Sequence, residues 1–555
     1  MNEYLASFVD ELHRLGLESV VYSAGSRSTS LAMLFEAHQG FQSYMNVDER
    51  SAAFFALGIA KESKKPVALV CTSGSAMGHY VPAMMEAKYA GIPLLVITAD
   101  RPAELYNVRA PQTLDQNASF GSDLVVYHEV LDVPTESNDY TYPRQVAQRA
   151  YLQAMNLKKG PVHINVPVRE PLVPDLDPKH FEAGRTSKQP FFVSGTLMAN
   201  PSDALDGALM DKKVLLVCGP DVSLKDGNNA VIMSLAESLM APVIADPLSN
   251  VRACGMEYAM DTYDAFLANR DLWPSLQPDT VVQFGQIPVS KRLQQFLASL
   301  DGVDYIQVTA TNEYVVPAGH VTMHVQADLQ GFAAAVQGIQ NEDSSYVDQW
   351  IGLNNETRDR LEAVMEEESL FEGKFIRLIQ NYLPKNSQVF TANSMSIRDM
   401  DYFWRTEESD VRVFGNRGVN GIDGTISSAL GVAANGKPTL LVTGDLSFFH
   451  DMNALAMAKT HNLNLTIVLF NNDGGGIFEY LPQKGTPYFD YLFSTEQGLD
   501  YSALEKVFGI DYINVTSYDQ FKSLLKDSMA VPGVHLLEIK TDKEGSRNLH
   551  KKYIG

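Results

Sequence analysis

Two polar side chains follow neighbouring strand-like runs in the last third of the sequence. The run Thr439–Thr443 leads into Gly444-Asp445, and the run Leu465–Phe470 leads into Asn471-Asn472. The stretch Leu455–Ala458 between them has a helical pattern, so the segment predicts a βαβ unit. In such a unit the carboxyl ends of both parallel strands lie side by side. We therefore expect Asp445 and Asn472 to lie close together.

These two side chains have the chemistry of a hard metal site. A carboxylate, an amide oxygen and a backbone carbonyl from the turn Gly474-Gly475-Gly476 are ligands that suit Mg²⁺. Glycines in that turn let the backbone approach phosphates closely. A Gly-Asp pair alone also serves merely to turn the chain after a strand. The pairing of Asp445 with Asn472 after one crossover favours the metal site.

The pattern resembles the diphosphate-binding motif of thiamine diphosphate enzymes. The resemblance implies that thiamine diphosphate is the cofactor, and that Asp445, Asn472 and Gly474 hold Mg²⁺, with Mn²⁺ as a substitute. The sequence departs from the family at Leu446, where Gly is usual, although neither metal nor phosphate requires that side chain. The other cofactor contacts that the resemblance implies in this third are Gly421, Ile422, Gly424, Gly444, Leu446, Ser447, Gly475, Ile477, Phe478 and Leu481.

A glycine-bounded segment, Gly421-Ile422-Asp423-Gly424, precedes the small-residue helix Thr425–Ala434. In the family this segment runs beneath the thiazolium ring, so the resemblance implies that Ile422 wedges the cofactor into its bent conformation. A Gly-x-x-Gly pattern by itself indicates only a helix start. By the same resemblance Ile477, Phe478 and Leu481 keep water away from the reacting carbon.

Glu49 is the candidate activating carboxylate. It lies in Asn46-Val47-Asp48-Glu49-Arg50-Ser51, before the Ala-rich helix Ala52–Lys61, and residue types alone indicate a capped, acidic helix start. The resemblance implies that Glu49 bonds N1′ of the aminopyrimidine, and an apolar pocket would raise the pKa of such a carboxyl to suit proton transfer. The family builds each site from two subunits, which implies at least a homodimer, with a tetramer as a further expectation.

Cationic and polar side chains complete the candidate site: Ser26, Arg27, Arg101, Gln112, Lys291, Arg292, Ser394, Arg398 and Arg417. Singly, each arginine is more often a surface or ion-pair residue than a ligand-binding one. Together they are similar to the set in family members that decarboxylate 2-oxoglutarate and add the resulting carbanion to isochorismate in menaquinone biosynthesis, a transferase reaction between dicarboxylates. That similarity places Ser394 and Arg398 at the substrates' carboxylate ends. It places Arg27, Arg101, Gln112, Lys291 and Arg292 on the isochorismate side.

Composition excludes several other classes of function. A formal charge of −23 opposes non-specific binding to nucleic acid or anionic membranes. The apolar runs are far shorter than the roughly 20 residues of a membrane span, and the first residues do not resemble a signal peptide. Cys71, Cys218 and Cys254 are scattered, which is typical of a reducing compartment and argues against disulfides or zinc. We expect a cytoplasmic protein with no membrane span and no nucleic-acid partner.

Strand-like and helical runs alternate along the whole chain, which predicts an α/β fold of three doubly wound parallel-sheet domains. The expected domains are a pyrimidine-binding domain at 1–180, a central domain at 190–340, and a diphosphate- and Mg²⁺-binding domain at 360–555. The predicted strands before the last domain are Ser19–Tyr22, Val67–Cys71, Leu94–Thr98, Gly160–Pro167, Val214–Cys218, Pro242–Ala245, Thr280–Phe284 and Tyr305–Val308. The acidic segment 342–368 predicts a solvated helical connector, and another helix is predicted to begin at about Ala76.

Two other kinds of protein remain open from the sequence. One is another thiamine diphosphate enzyme, either a 2-oxo acid decarboxylase or an acetolactate synthase, although the central block lacks the Gly-x-Gly-x-x-Gly turn of a dinucleotide site. The other is an inert binding protein that shares the fold, against which the joint presence of Glu49, Asp445 and Asn472 argues.

Overall fold

The computed structural model of the chain describes residues 2–117, 119–134, 139–193, 195–220, 222, 227–317 and 320–555. Among these residues the strands form three six-stranded sheets, and neighbouring strands within each sheet run parallel. Parallel neighbours need crossover connections, which the helices supply. The predicted class of three parallel-sheet α/β domains is confirmed.

The first sheet has the strand order β2-β1-β3-β4-β6-β5. Its strands are β1 (Ser19–Tyr22), β2 (Gln42–Met45), β3 (Val67–Cys71), β4 (Leu94–Asp100), β5 (Tyr127–Val130) and β6 (Pro161–Pro167). The helices of this region are α1 (Asn2–Arg14), α2 (Thr29–Ala37), α3 (Glu49–Ser63), α4 (Val81–Ala90), α5 (Gly121–Leu124) and α6 (Thr141–Ala154). The order reverses between β1 and β3, and open α/β sheets bind ligands at the carboxyl ends of strands beside such a reversal.

The second sheet has the order β12-β11-β10-β7-β8-β9. Its strands are β7 (Val214–Cys218), β8 (Val243–Ala245), β9 (Ala259–Met260), β10 (Thr280–Phe284), β11 (Asp304–Thr309) and β12 (Met323–Gln326). The helices of this region are α7 (Asp203–Leu209), α8 (Asn228–Leu239), α9 (Tyr263–Phe266), α10 (Trp273–Leu276), α11 (Lys291–Ala298), α12 (Leu329–Ala335) and α13 (Ser345–Glu362).

The third sheet, β14-β13-β15-β16-β18-β17, repeats the topology of the first. Its strands are β13 (Gln388–Thr391), β14 (Arg412–Gly415), β15 (Thr439–Gly444), β16 (Leu465–Asn471), β17 (Asp511–Val515) and β18 (Val534–Lys540). The helices are α14 (Glu372–Tyr382), α15 (Met395–Phe403), α16 (Thr425–Ala433), α17 (Asp445–Asp451), α18 (Leu455–Thr460), α19 (Leu504–Phe508), α20 (Tyr518–Ala530) and α21 (Lys543–Ile554). The order again reverses, here between β13 and β15.

The inner strands are covered on both faces, which explains their unbroken apolar runs. In β3, β7 and β10 every residue is buried. These three strands and β1 begin and end at the residues that the sequence predicts.

The chain divides into two compact units. The first comprises Met1–Ser194 with Asn416–Gly436 and Phe449–Asn464, and the second comprises Gly195–Gly415, Lys437–Phe448 and Leu465–Gly555. The second unit holds both the second and the third sheets, and the three domain boundaries given above stay a prediction.

Two local predictions are wrong. The acidic segment 342–368 is not simply a solvated connector, because α13 places Tyr346, Trp350 and Leu361 on one helix face and Trp350 is completely buried. The helix expected from Ala76 begins instead as a 3₁₀ turn, and α4 starts only at Val81, with a proline in its first turn.

None of the helices in the described ranges combines the length and the apolar character that a membrane crossing requires. The three cysteines are free thiols, of which Cys71 and Cys218 are buried.

Candidate active site

The carboxyl ends of β15 and β16 bring the predicted metal ligands together. Gly444 pairs with Phe470 at the end of the two strands, and Asp445 and Asn472 follow directly. The Oδ2 atom of Asp445 accepts a hydrogen bond of 2.5 Å from the backbone N–H of Gly474. Asp445 therefore touches the turn that follows Asn472.

The electrostatics around Asp445 and Asn472 fit a bound cation. Asp445 is 4% exposed, and burial raises the pKa of its carboxyl to about 6 although backbone N–H groups oppose the shift. The Oδ1 atom of Asn472 is buried and accepts no hydrogen bond within the described chain. A desolvated carboxylate beside an unpartnered amide oxygen is a donor set that Mg²⁺ suits.

Glycine is required in the turn after Asn472. Gly474 has φ +137°, and a Cβ atom there would lie 2.0 Å from the carbonyl oxygen of Ser494. The N–H of Gly475 donates to that same carbonyl at 2.7 Å. At the end of β15, by contrast, a Cβ on Gly444 would meet nothing within 4 Å. Space for a ligand is thus left beside Gly444.

Sequence reasoning missed two residues that support this corner. The backbone carbonyl of Ser494 accepts the hydrogen bond from Gly475 described above. The Tyr501 hydroxyl donates to the backbone carbonyl of Asp445 at 3.3 Å. Both belong to a long segment after the last recognisable motif, and no spacing signal points to them.

The other predicted cofactor residues of this unit lie on the adjoining segments. Leu446 and Ser447 form the first turn of α17. Ile477 and Phe478 lie in the 3₁₀ turn Gly476–Tyr480, which Leu481 ends, and all three are partly buried. The Phe478 ring packs 5.4 Å from that of Phe493, centroid to centroid.

Ser394 and Arg398 are brought together at the carboxyl end of β13. Arg398 Nη1 donates to the Ser394 carbonyl at 2.5 Å. Ser394 has φ +67° and ψ −125°, an unusual conformation for a residue with a side chain, at the junction between β13 and α15. Strain of this kind is typical of functional strand-to-helix turns.

Lys291 and Arg292 begin α11, and Ser290 caps that helix. Lys291 is exposed, whereas Arg292 is held by protein acceptors. Arg292 Nη1 contacts Asp264 Oδ2 at 3.2 Å and the Ile554 carbonyl at 3.1 Å, and Nη2 contacts the Gly555 carbonyl. Burial raises the pKa of Asp264, and Arg292 and Arg398 both oppose that rise. Arg292 and Arg398 thus lie near one buried carboxyl.

In the first unit, Arg27 and Arg101 form a cationic pair at the ends of β1 and β4. Arg27 is buried, and its Nη1 donates to the Val168 carbonyl at 2.9 Å. Its Nε atom has no acceptor among the described residues. Burial and the charge of Arg101 lower the pKa of Arg27. A bound carboxylate would offset this repulsion. Ser26, next to Arg27, is exposed.

Arg101 and Gln112 lie on one loop. Arg101 Nε and Nη2 donate to the Pro111 carbonyl at 3.3 and 3.1 Å. Gln112 has φ +54° and packs on Gly74, where a Cβ would lie 3.3 Å from the Gln112 Cβ.

Glu49 is the first residue of α3 and is partly buried. The preceding Asp48 caps the helix, accepting from the Arg50 N–H at 2.9 Å. Burial raises the pKa of the Cys71 thiol to about 12, and the Glu49 carboxylate contributes to that rise. Glu49 therefore lies near the end of β3.

Helix α3 packs closely against α16, which follows Gly421 and Ile422. A Cβ on Gly58 would lie 2.1 Å from the Ser428 carbonyl oxygen, so the two backbones are in contact. The Ser51 and Ser427 hydroxyls are 2.8 Å apart. Gly424, at φ +64°, has no room for a side chain because the Phe54 ring lies against it. The glycines thus serve helix packing in addition to any cofactor contact.

The loop that carries Arg417 is held by a residue that sequence reasoning missed. The buried carboxylate of Glu86 accepts from the backbone N–H groups of Gly418 at 2.7 Å and Val419 at 2.8 Å. Nothing in the sequence near Glu86 signals this contact, since its partners lie more than 300 positions away.

Three models of known protein families match this chain. Residues 3–119 match the thiamine pyrophosphate enzyme N-terminal TPP binding domain, residues 196–391 the middle domain, and residues 396–539 the C-terminal TPP binding domain. The chain belongs to the thiamine pyrophosphate enzyme family. The resemblance that the diphosphate motif suggested is confirmed.

Curated relatives are similar to this chain over nearly their whole length. A 2-succinyl-5-enolpyruvyl-6-hydroxy-3-cyclohexene-1-carboxylate synthase from Lactococcus lactis subsp. cremoris is 52% identical over 100% of this chain and 99% of its own. Proteins of the same name from Desulfitobacterium hafniense and Bacillus cytotoxicus are 45% and 42% identical over the whole chain, covering 99% and 96% of their own.

One solved structure shares the fold of this chain. Benzoylformate decarboxylase from Polynucleobacter necessarius superposes with a TM-score of 0.73 over 97% of this chain and 99% of its own, at 18% identity. This likeness extends to all three sheets and concerns the fold alone.

Proposed function

We propose that the protein decarboxylates 2-oxoglutarate and adds the four-carbon unit to isochorismate. The products are 2-succinyl-5-enolpyruvyl-6-hydroxy-3-cyclohexene-1-carboxylate and CO₂, in menaquinone biosynthesis. The observation that carries this proposal is the 52% identity, over 100% of this chain and 99% of the relative, to a synthase of that name. The candidate side chains named above supply the required carboxylate-binding chemistry.

Asp445, Asn472 and the Gly474 carbonyl would hold Mg²⁺, or Mn²⁺ in its place, and through it the diphosphate of thiamine diphosphate. The buried, unpartnered Asn472 oxygen and the high pKa of Asp445 support this assignment. When bound, thiamine diphosphate supplies the thiazolium electron sink that decarboxylation of a 2-oxo acid needs. Glu49 would hold the proton at N1′ of the aminopyrimidine.

The arginines would bind and orient the two dicarboxylates. Arg398, beside Ser394, would hold a carboxylate end of the bound substrate, and Arg27 with Arg101 would hold isochorismate. Two neighbouring cations in an acidic protein repel each other and attract anions, so they favour dicarboxylates over 2-oxo acids with a single carboxylate. Ile477, Phe478 and Leu481 would exclude water from the reacting carbon.

We further propose a homodimer in the cytoplasm, with tetramers as a higher assembly. Apolar side chains beside the candidate residues support a protein partner: Val47, near Glu49, is 83% exposed, and Tyr488 and Tyr491, after Leu481, are 77% and 83% exposed. Aromatic surface of this kind marks protein interfaces. Analytical ultracentrifugation of the purified protein tests this assembly, and a monomer at micromolar concentration would contradict it.

The catalytic proposal is tested by product identification. The protein is incubated with thiamine diphosphate, Mg²⁺, 2-oxoglutarate and isochorismate, and the products are identified by mass spectrometry, with pyruvate as the competing substrate and the Glu49→Gln variant as a blank. We expect CO₂ release coupled to isochorismate consumption. Conversion of pyruvate with no use of isochorismate would assign the protein to a different decarboxylase or to an acetolactate-forming activity.

A further inference from the structure

The loop that carries Arg101 and Gln112 has little regular structure of its own. Most of residues 103–115 are exposed, and Asn107, Arg109 and Gln112 all have positive φ. An exposed loop of this kind samples many conformations unless other parts of the fold hold it. Two side chains that bind one ligand need a fixed separation.

Gln116 anchors the carboxyl end of this loop. It is completely buried, while its neighbours Leu114 and Asp115 are exposed. Gln116 Oε1 accepts from the Gly74 N–H at 3.0 Å, and Nε2 donates to the Ala99 carbonyl at 3.2 Å. One side chain thus ties the loop to the turn after β3 and to the end of β4.

Asn165, on β6, links Gln116 to the other end of the loop. Its Oδ1 atom accepts from Gln116 Nε2 at 2.9 Å, and its Nδ2 atom donates to Asp100 Oδ2 at 2.8 Å. Asp100 in turn accepts from the Arg101 N–H at 2.7 Å and from the Tyr106 hydroxyl at 2.6 Å. Both ends of the loop therefore depend on Asn165.

The cost of these buried polar groups indicates a function beyond folding. Asp100, Gln116 and Asn165 are all completely buried, and Asp100 and Asn165 lie on the parallel strands β4 and β6, where apolar residues are the rule. Each of these side chains has several hydrogen-bond partners, so the network is rigid. Removing one member leaves buried polar groups of the others without a hydrogen bond.

We propose that Gln116 and Asn165 are positioning residues that set the 101–117 loop so that Arg101 and Gln112 meet isochorismate at the correct separation. This proposal rests on the proposed function. It assigns Gln116 and Asn165 no contact with substrate. Their loss should weaken use of isochorismate and leave decarboxylation of 2-oxoglutarate nearly unchanged.

The test compares Gln116→Leu with a matched control, Gln307→Leu. Gln307 is also completely buried and also holds a loop, because its Oε1 accepts from the Val315 N–H at 2.9 Å and its Nε2 donates to the Glu313 carbonyl at 2.6 Å. We expect the KM for isochorismate to rise about tenfold or more in Gln116→Leu, since small misplacements of binding groups have large effects. We expect 2-oxoglutarate decarboxylation to stay within about twofold, and neither quantity to change in the control.

A milder variant covers the case in which Gln116→Leu does not fold. Tyr106→Phe removes only the hydroxyl that contacts Asp100, and we expect a rise in the isochorismate KM of about threefold, in the same direction. A KM for isochorismate that stays at the wild-type value in both variants would overturn the proposal. Equal losses in Gln116→Leu and Gln307→Leu would also overturn it, because they would show a general effect on stability.

A second measurement is independent of the substrate. Arg109 is exposed within the loop, so trypsin cleavage after Arg109 reports how firmly the loop is held. We expect cleavage about tenfold faster in Gln116→Leu than in the wild type or Gln307→Leu. A wild-type protein that does not consume isochorismate would refute the proposed function, and unchanged cleavage would then refute the positioning role separately.

Discussion

Replacing Asp445 by Asn should have opposite effects on the metal-free and the metal-loaded protein. Burial raises the pKa of this carboxyl from 3.8 to about 6, so at neutral pH the folded protein without metal holds a costly desolvated charge. The difference amounts to about 3 kcal/mol. Asparagine removes the charge and keeps an oxygen that can accept from the Gly474 N–H. The variant should therefore be the more stable protein in the absence of metal.

The sign of the pH dependence follows from the raised pKa. Below about pH 3.8 the carboxyl is neutral in both folded and unfolded chains, so it costs nothing; the cost grows between pH 3.8 and about 6 and is complete above that. In EDTA, Asp445→Asn should melt higher than wild type at pH 7.5, and the difference should shrink toward pH 4.5. At about 2–4 °C per kcal/mol for a domain of this size, the gain at pH 7.5 is roughly 6–12 °C.

Adding Mg²⁺ and thiamine diphosphate should make the wild type more stable than the Asp445→Asn variant. At about 1,000 times its dissociation constant the ligand adds about 4.1 kcal/mol to wild type, which exceeds the cost of about 3 kcal/mol, and it adds nothing to the variant. Differential scanning fluorimetry with and without EDTA measures both effects. Asp451→Asn is the matched control, because burial also raises the pKa of Asp451 to about 6 and no metal role is proposed for it. The control should gain stability in EDTA and still respond to the ligand.

Two results would refute this reasoning. A metal-free Asp445→Asn protein no more stable than wild type at pH 7.5 would show that the carboxyl carries no desolvation cost. A variant that still gains stability with Mg²⁺ and thiamine diphosphate, at wild-type affinity, would remove Asp445 from the metal site.

Three further predictions concern other residues. Glu49→Gln should bind thiamine diphosphate normally but exchange the thiazolium C2 proton far more slowly, as measured by NMR; wild-type exchange would exclude Glu49 from proton transfer. Arg292→Ala should lower isochorismate consumption by tens-fold while sparing 2-oxoglutarate decarboxylation, followed by stopped-flow absorbance, whereas equal loss in both would assign Arg292 to support of Asp264. Arg252→Met removes the cation that lies 2.6 Å from the buried Asp401 carboxylate. The change should lower the free energy of unfolding by about 3–5 kcal/mol. Because burial already raises the pKa of Asp401 to about 7, the loss in urea denaturation should be larger at pH 8 than at pH 6, and a pH-independent loss would contradict the charge argument.

Local patterns in the sequence determined the fold class and the closeness of Asp445 to the turn that follows Asn472. Continuous apolar runs such as Val67–Cys71 predict strands buried on both faces, since burial depends on the run itself. One βαβ crossover suffices to place Asp445 near Asn472, because parallel topology aligns the strand ends whatever the rest of the chain does. The same holds for Ser394 and Arg398, which share one strand-to-helix junction.

Only the tertiary structure decided which distant groups support those residues. Gln116 is hydrogen-bonded to Asn165, which is 49 positions away in the sequence, and Arg292 to Ile554, which is 262 positions away. No local sequence period encodes such pairs. The acidic segment around Trp350 could not be predicted correctly for the same reason. Its many charged residues indicate a solvated helix, and the burial of Trp350 depends on the elements that pack against it. Side-chain partners depend on how elements pack in space, whereas strands and their ends depend on residues adjacent in the chain.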